Sequence, residues 1–277
     1  MAGGAGLIRR AALASAGLLL GAALLAPYAV MLLTALKPEA ELRMTPPRLL
    51  PATWRPQNFW TVLRDPDFQS WLTVSLVVAV ASTALVLVAA VPAAYYTARH
   101  RFPGRSAFLF LVLVTQMFAP TALVVGLYRE FFELGLINTY AALILVNAAF
   151  NLAFAIWILR AFFASIPREI EEAAAVDGCG SAGALFRIIL PVALPGIVTA
   201  TIFAFIAAWN EYIVALTLMT DANMRPLTVG ITSYVTAYVQ HWNSLFAASV
   251  IAIVPVVVLF ALIERYLVGG LTAGSVK

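Results

Sequence analysis

Apolar residues run along this chain in blocks too long for a soluble helix or strand. A membrane crossing needs roughly 20 such residues, and six stretches meet that length. They are Ala11–Leu36, Trp71–Ala98, Ala107–Gly126, Thr139–Ala164, a fifth from near Leu194 to near Met219, and Leu245–Val268. Pro92, Pro120 and Pro255 fall inside the second, third and sixth. Proline is tolerated in a membrane helix when neighbours satisfy the freed backbone groups. The pattern predicts an all-α, polytopic membrane helix bundle of six spans. The connections are polar: Lys37–Gln69, rich in Pro and Trp, Tyr128–Asn138 with Arg129, Glu130 and Glu133, and Asp221–Asn243. Trp54, Trp60 and Trp71 are expected at the membrane interface, where an amphipathic ring is favoured. Arg160, near the end of the fourth span, is long enough to snorkel.

Composition agrees with the pattern. Of the 277 residues, 63% are hydrophobic and 11% charged, against about 25% charged in soluble domains. Mean hydropathy is +0.95. Arg9 and Arg10 before the first run invite comparison with a secretory leader, but the run exceeds an h-region of about 7–15 residues. Lone Cys179 excludes an internal disulfide. The net charge of +4 is explained by basic loops on one side of a membrane, and no nucleic-acid signal appears.

Lysine and arginine counts orient the spans. With the N-terminus inside, the inner set is Arg9, Arg10, Arg99, Arg101, Arg105, Arg160, Arg168, Arg187, Arg265 and Lys277, ten in all. The outer set is Lys37, Arg43, Arg48, Arg55, Arg64, Arg129 and Arg225, seven in all, five of them in one long loop. Short loops weigh more, and Arg99–Arg105 is the strongest marker. Both termini, including the tail 269–277, and the polar segment 165–191 are therefore expected in the cytoplasm.

That segment reads as ordered. Pro167 suits a helix N-terminus, and Glu169, Glu171 and Glu172 complement the dipole of the first turns. Ala173, Ala174 and Ala175 propagate a helix at little cost, and Gly178 permits a turn that a Cβ would resist. A second short helix, Ser181–Leu190, is expected to break or kink at Pro191.

Polar groups inside the spans are functional candidates by default. Asn147 and Asn151 share a helix face and either line a polar pathway or hydrogen-bond a neighbouring helix. Gln116 beside Pro120 reads similarly. Trp209, Asn210 and Glu211 complete the candidate pathway set. A carboxylate at the position of Glu211 is costly unless paired or solvated, which points it to the bundle interior or a water-filled cavity. Phe203, Phe205 and Trp209 either stack on a solute ring or pack helices.

No chemistry of the chain's own is visible. Neither Lys37 nor Lys277 follows a glycine-rich phosphate loop, His100 and His241 have no metal-ligand cluster around them, and no nucleophile elbow is present. The chain is not read as an enzyme. An ion-coupled secondary transporter would show several buried carboxylates or an internal repeat, whereas Glu211 stands alone. A non-transporting scaffold would not need the ordered polar segment.

Glu172-Ala173-Ala174, three residues, Gly178, nine residues and Ile188-x-Leu190-Pro191 together resemble the EAA loop of ABC importer permeases. Asp177, Pro195 and Trp209-Asn210-Glu211 sharpen the likeness, and Gly270–Lys277 is similar to the tail of maltose-type carbohydrate permeases. Cys179 departs from the alanine frequent there. The resemblance implies a single permease domain over 1–277, in a bacterial-type cytoplasmic membrane. It implies a second homologous permease, two ATP-binding subunits and an extracytoplasmic sugar-binding protein as partners. ATP and Mg belong to the ATPase; this chain holds no cofactor. Glu172, Ala173, Ala174, Asp177 and Gly178 are its expected ATPase-coupling residues. The predicted topology is tested by cysteine labelling: a cysteine placed at Ser181 should resist a reagent applied from the outer face of intact cells, and ready labelling there would reverse the topology.

Overall fold

The computed structural model describes residues 3–236, 238 and 240–272. The fold is helical. Among the described residues no strand forms, and an isolated antiparallel bridge pairs Val235 with Gln240. Four helices are long and apolar enough to cross a membrane: α1 (Gly3–Ala35), α4 (Pro66–Arg99), α7 (Tyr140–Ser165) and α14 (Trp242–Thr272). Two further candidates are bent. In one, α5 (Arg105–Thr115) meets α6 (Pro120–Glu133) at 93°. In the other, Ala182–Val192 meets α11 (Leu194–Trp209) at 79°. The tail expected over 269–277 is helical to Thr272, and its last five residues, 273–277, lie outside the described residues.

The chain divides into two compact units. The first takes Met1–Asp65 and Ile231–Ile253. The connection expected over Lys37–Gln69 is structured here, with two short helices, α2 (Glu39–Leu42) and α3 (Gln57–Arg64). Buried polar groups order it. Lys37 Nζ donates to the Arg48 carbonyl, Glu41 Oε1 accepts from the Ala52 amide (2.7 Å), and Asn58 Nδ2 donates to the carbonyls of Ala35 (2.8 Å) and Lys37 (2.9 Å). Trp54 and Trp60 are exposed, as interfacial rings would be.

The second unit takes Pro66–Gly230 and Val254–Lys277. It is built on α4 packed against α7 and α11. The buried positions of α4 recur every three or four residues and are mostly small: Val74, Ser75, Val78, Ala79, Ser82, Val86, Ala90 and Ala94. Small residues let membrane helices approach closely, where packing rather than water exclusion drives association. Ser75 Oγ accepts from the Leu227 amide (2.7 Å), while two other hydroxyls of α4 are satisfied within the helix. Ser82 Oγ donates to the Val78 carbonyl (2.6 Å) and Thr97 Oγ1 to that of Ala93 (2.7 Å). Trp71 is not an interfacial ring. It is buried, and its Nε1 donates to the Ala222 carbonyl (3.3 Å), because an indole with a partner is cheaper to bury than one without.

The breaks differ from expectation in three places. The third apolar run is broken over residues 116–119, just ahead of Pro120. The chain turns there, and α6 carries on through Glu133, so most of the expected loop at Tyr128–Asn138 is helix. The second break lies at Ala193 rather than at Pro191. Ahead of Pro191 the helix widens into a π turn, Leu185–Ile189. That turn moves aside the carbonyl a proline ring would strike, so Pro191 is carried within α10 (Leu190–Val192). Pro195 then sits in the first turn of α11, where its missing N–H costs nothing. Finally, the fifth run is two helices. α11 stops at Trp209, and α12 (Ile213–Leu218) restarts after Asn210–Tyr212.

Gly196 lets the start of α11 close on the end of α7. A Cβ built there would fall 2.4 Å from the Phe162 ring. Gly196→Val is expected to cost about 1–3 kcal/mol of stability, the usual penalty for overpacking. Thermal unfolding in detergent checks this: Gly196→Val should unfold at a lower temperature, and adding Phe162→Ala should recover part of the loss.

Candidate functional site

The polar segment after α7 is a helix, a tight turn and a second helix. α8 (Glu169–Val176) carries three acidic residues in its first turn. Its end is closed by two backbone bonds, Gly178 N–H to the Ala175 carbonyl (3.1 Å) and Cys179 N–H to that of Ala174 (2.9 Å). This pairing needs a left-handed residue just past the helix, and Gly178 has φ +81°. No atom lies within 4 Å of where its Cβ would be, so a side chain there is opposed by the backbone alone. α9 (Ser181–Ala184) then leads into the π turn.

Each expected coupling residue has a definite place. Glu172, Ala173, Asp177 and Gly178 are exposed, and Ala174 is buried. Ile170, half-buried, lies one turn before Ala174, and the two form the inner stripe of α8. Behind the segment, Ile166, Leu185, Ile189 and Ala193 join one apolar cluster with Ala90 and Ala94 of α4, Leu159 and Phe163 of α7 and Ala200 of α11. The polar segment is thus rooted in the long helices rather than strung between them.

Charged contacts complete the attachment, and the sequence did not single them out. Arg99, read only as an orientation marker, is buried at the end of α4 and forms an ion pair with Glu171. Its Nη1 donates to the Ile166 carbonyl (2.9 Å), and its own carbonyl accepts from Arg168 Nη2 (2.9 Å). Tyr95 donates its hydroxyl to Glu171 Oε2 (3.2 Å) and sets its ring edge-on to Phe163, 5.7 Å between centroids. An open pocket of about 300 Å³ is lined by Tyr95, Arg99, His100, Arg168, Glu171 and Glu172. The available signal was an arginine directly abutting an apolar run, opposite an acid-rich segment.

The candidate pathway residues are not brought together as one polar surface. Asn147 is buried and donates to the Leu143 carbonyl (2.9 Å), while Asn151 donates to that of Asn147 (2.8 Å). Both amides thus bond carbonyls of their own helix, not those of a neighbouring one. Gln116, exposed in the first break, donates to the Phe150 carbonyl of α7 (2.9 Å). Trp209 is buried and stacks on Phe205 at 5.7 Å, and Phe203 lies edge-on to Phe154 at 5.1 Å. Asn210 is exposed where α11 ends.

Glu211 turns inward to the chain itself. Its two carboxylate oxygens accept from the amides of Val214 (2.7 Å) and Ala215 (2.9 Å), in the first turn of α12. Its carbonyl accepts from Thr228 Oγ1 (2.7 Å). The carboxylate therefore serves as a helix cap, with the dipole favouring its charge. Among the described residues, no group of three or more His, Cys, Asp or Glu side chains is placed to hold a metal ion.

These features define a polytopic helical membrane protein with an ordered polar helix anchored to its long helices. The chain belongs to the family of binding-protein-dependent transport system inner membrane components, whose model matches residues 86–272. It is 38% identical over 251 residues to the sulfoquinovosyl glycerol transport system permease protein SmoH of Agrobacterium fabrum, covering 91% of this chain and 88% of that one. It is 34% identical to the diacetylchitobiose uptake system permease protein DasC of Streptomyces coelicolor, covering 91% of each. Its fold matches a chain from the crystal structure of a bacterial ABC transporter involved in the import of the acidic polysaccharide alginate. There the TM-score is 0.82 at 24% identity, covering 96% of this chain and 99% of that one. The chain is a multi-pass inner-membrane permease component of an ABC transport system, a non-catalytic subunit.

The cap at Glu211 yields a measurable outcome. Glu211→Ala should lower stability by about 0.5–2 kcal/mol, the cost of losing a helix cap, and Glu211→Gln, which keeps an acceptor, should lose less. Unfolding temperatures of the two variants in detergent check this. Unchanged stability in Glu211→Ala would remove the capping role.

Proposed function

We propose that this chain forms half of the solute pathway of an ATP-driven carbohydrate importer and couples it to a separate ATPase through α8 and its turn. A second, homologous permease completes the pathway. Two ATP-binding subunits, which hold ATP and Mg, dock beneath, and an extracytoplasmic binding protein delivers the solute. The spans number six when each bent pair is one crossing, with both termini cytoplasmic. The carbohydrate assignment is supported by the relatives, which are named for sulfoquinovosyl glycerol transport and diacetylchitobiose uptake.

The observation that carries the coupling role is the two-sidedness of α8. Its inner stripe and Glu171 are held by the bundle, while Glu172, Ala173 and Asp177 are exposed, Glu172 at the rim of the pocket beside Arg99. A helix rooted on one side and bare on the other can receive a partner and pass a displacement to the long helices as rigid bodies. Glu172 supplies a charged contact, and Ala173 permits close approach. The pathway role of Gln116, Asn147, Asn151, Trp209, Asn210 and Glu211 is carried less far, since most of them bond or stack within the chain. Secondary transport is disfavoured because Glu211 is already engaged by two amides.

The test is purification of the intact complex with its binding protein. Sugar-dependent ATP hydrolysis is then measured over sulfoquinovosyl glycerol, diacetylchitobiose, maltose, trehalose and alginate oligosaccharides. At least one should stimulate hydrolysis, and failure of any ATPase to co-purify would end the reading. Within that complex, Gly178→Val should uncouple transport. A non-glycine residue in the left-handed region costs about 1–2 kcal/mol, more for a β-branched one, so α8 would meet the ATPase at the wrong angle. Uptake should fall at matched membrane levels. Normal uptake in this variant, with normal ATPase binding after deletion of Glu171–Gly178, would reduce the segment to a connector.

A further inference from the structure

The apolar stripe of α8 is short. Ala174 is its one buried residue, with Ile170 half-buried beside it. Two such contacts hold a helix against a bundle but leave it free to roll and pivot. The second half of the segment is different, since Leu185 and Ile189 are buried in the main cluster. Orientation of the first half must come from elsewhere.

It comes from the end of α4. We propose that Arg99 is a positioning residue, a latch that sets the pitch of α8 and makes α8 and α4 move as one body; this rests on the coupling role proposed above. The guanidinium reaches both sides of the corner before α8. It meets Glu171 inside the helix and the Ile166 carbonyl where α7 ends. Arg168, between them, returns a bond to the Arg99 carbonyl, and Tyr95 holds the other oxygen of Glu171. Three points of the corner, at 166, 168 and 171, are thus tied to one turn of α4. The fork of an arginine makes the two simultaneous contacts that a lysine cannot. The Arg99 side chain is 6% exposed and that of Glu171 20%, so water screens the pair little. The cation also lies at the C-terminal end of α4, where the helix dipole favours it. Glu172, the adjacent acid, stays exposed. The two neighbouring glutamates therefore divide the work, one turned to the bundle and one to the partner.

The experiment uses the full complex with its ATPase, carrying Cys179→Ser and paired spin labels at Ala175 and Val88, both exposed. Distances are read without nucleotide and after trapping with Mg-ATP and vanadate. With the latch intact the distance should be narrow and equal in both states. Glu171→Gln and Arg99→Lys should each split the distribution or shift it by several ångströms on trapping. The double variant should do less than the sum of the two, because both disturb the Arg99–Glu171 pair. Thermal unfolding of the same samples separates positioning from mere stabilisation. A lowered unfolding temperature with a narrow, unchanged distance would overturn the proposal, as would additive effects in the double variant. Should Arg99→Lys reach the membrane poorly, Glu171→Gln alone decides, and a wild-type distance in both states overturns the latch. Loss of the ATPase from the unsubstituted complex would instead refute the coupling reading itself.

Discussion

A backbone amide or carbonyl inside an apolar layer has no water to turn to, so each interruption of a helix must be closed by the protein itself. This chain interrupts its apolar helices several times, and side chains or paired backbone bonds close several of the interruptions. Gln116 reaches from the α5–α6 corner to the Phe150 carbonyl. Glu211 closes the gap between α11 and α12 with two bonds, and Thr228 takes the carbonyl of the same residue. Arg99 takes the carbonyl of Ile166 where α7 ends. Gly135 and Gly178, both at positive φ, close α6 and α8 with paired backbone bonds. Of the polar residues inside the spans, Gln116 and Glu211 close breaks, while Asn147 and Asn151 bond within α7.

The same requirement explains why the breaks sit against α4 and α7. These two helices pack on one another along small residues. Close approach puts carbonyls and short polar side chains of one element within reach of the next. Gly196 extends this logic by admitting the Phe162 ring where α11 begins. Below it, the apolar cluster runs without interruption from Val86 through Phe163 to Ile189. The second half of the polar segment shares that core with the apolar bundle, and α8 adds Ile170 at its edge.

The two ends of the second unit use different means. At the α8 end, charge holds the geometry: Arg99, Arg168 and Glu171 around a half-open pocket. At the α12 end an apolar cluster does so, with Val74, Val78, Leu143, Val214, Leu218 and Val229 packed around the capped helix. A charged corner suits a surface that meets a soluble partner, because its members remain paired when water leaves. A carboxylate buried against helix amides suits a fixed structural break.

Much of this was legible in the linear pattern. The apolar runs, the four long helices and the short polar helix with its glycine turn follow from length, hydropathy and local propensity, which act over a few residues and leave direct traces in composition. Gly178 was readable because only a position needing φ > 0 makes glycine the natural choice after an alanine-rich helix. The spacing from Glu172 to Pro191 carried the family. What the pattern left open were matters of contact between distant residues. Nothing local told Glu171 from Glu172, yet one faces Arg99 and the other faces out. Nothing local said that Glu211 would bond amides three and four residues on, or that Asn147 and Asn151 would turn back on their own helix. Nor could it place the second bend at Ala193 instead of Pro191, because the π turn that accommodates the proline depends on Leu185 and Ile189 being drawn into the core. Local sequence determines which segments become helices; only the packing of α4, α7 and α11 decides where they break and which of two adjacent like charges is held.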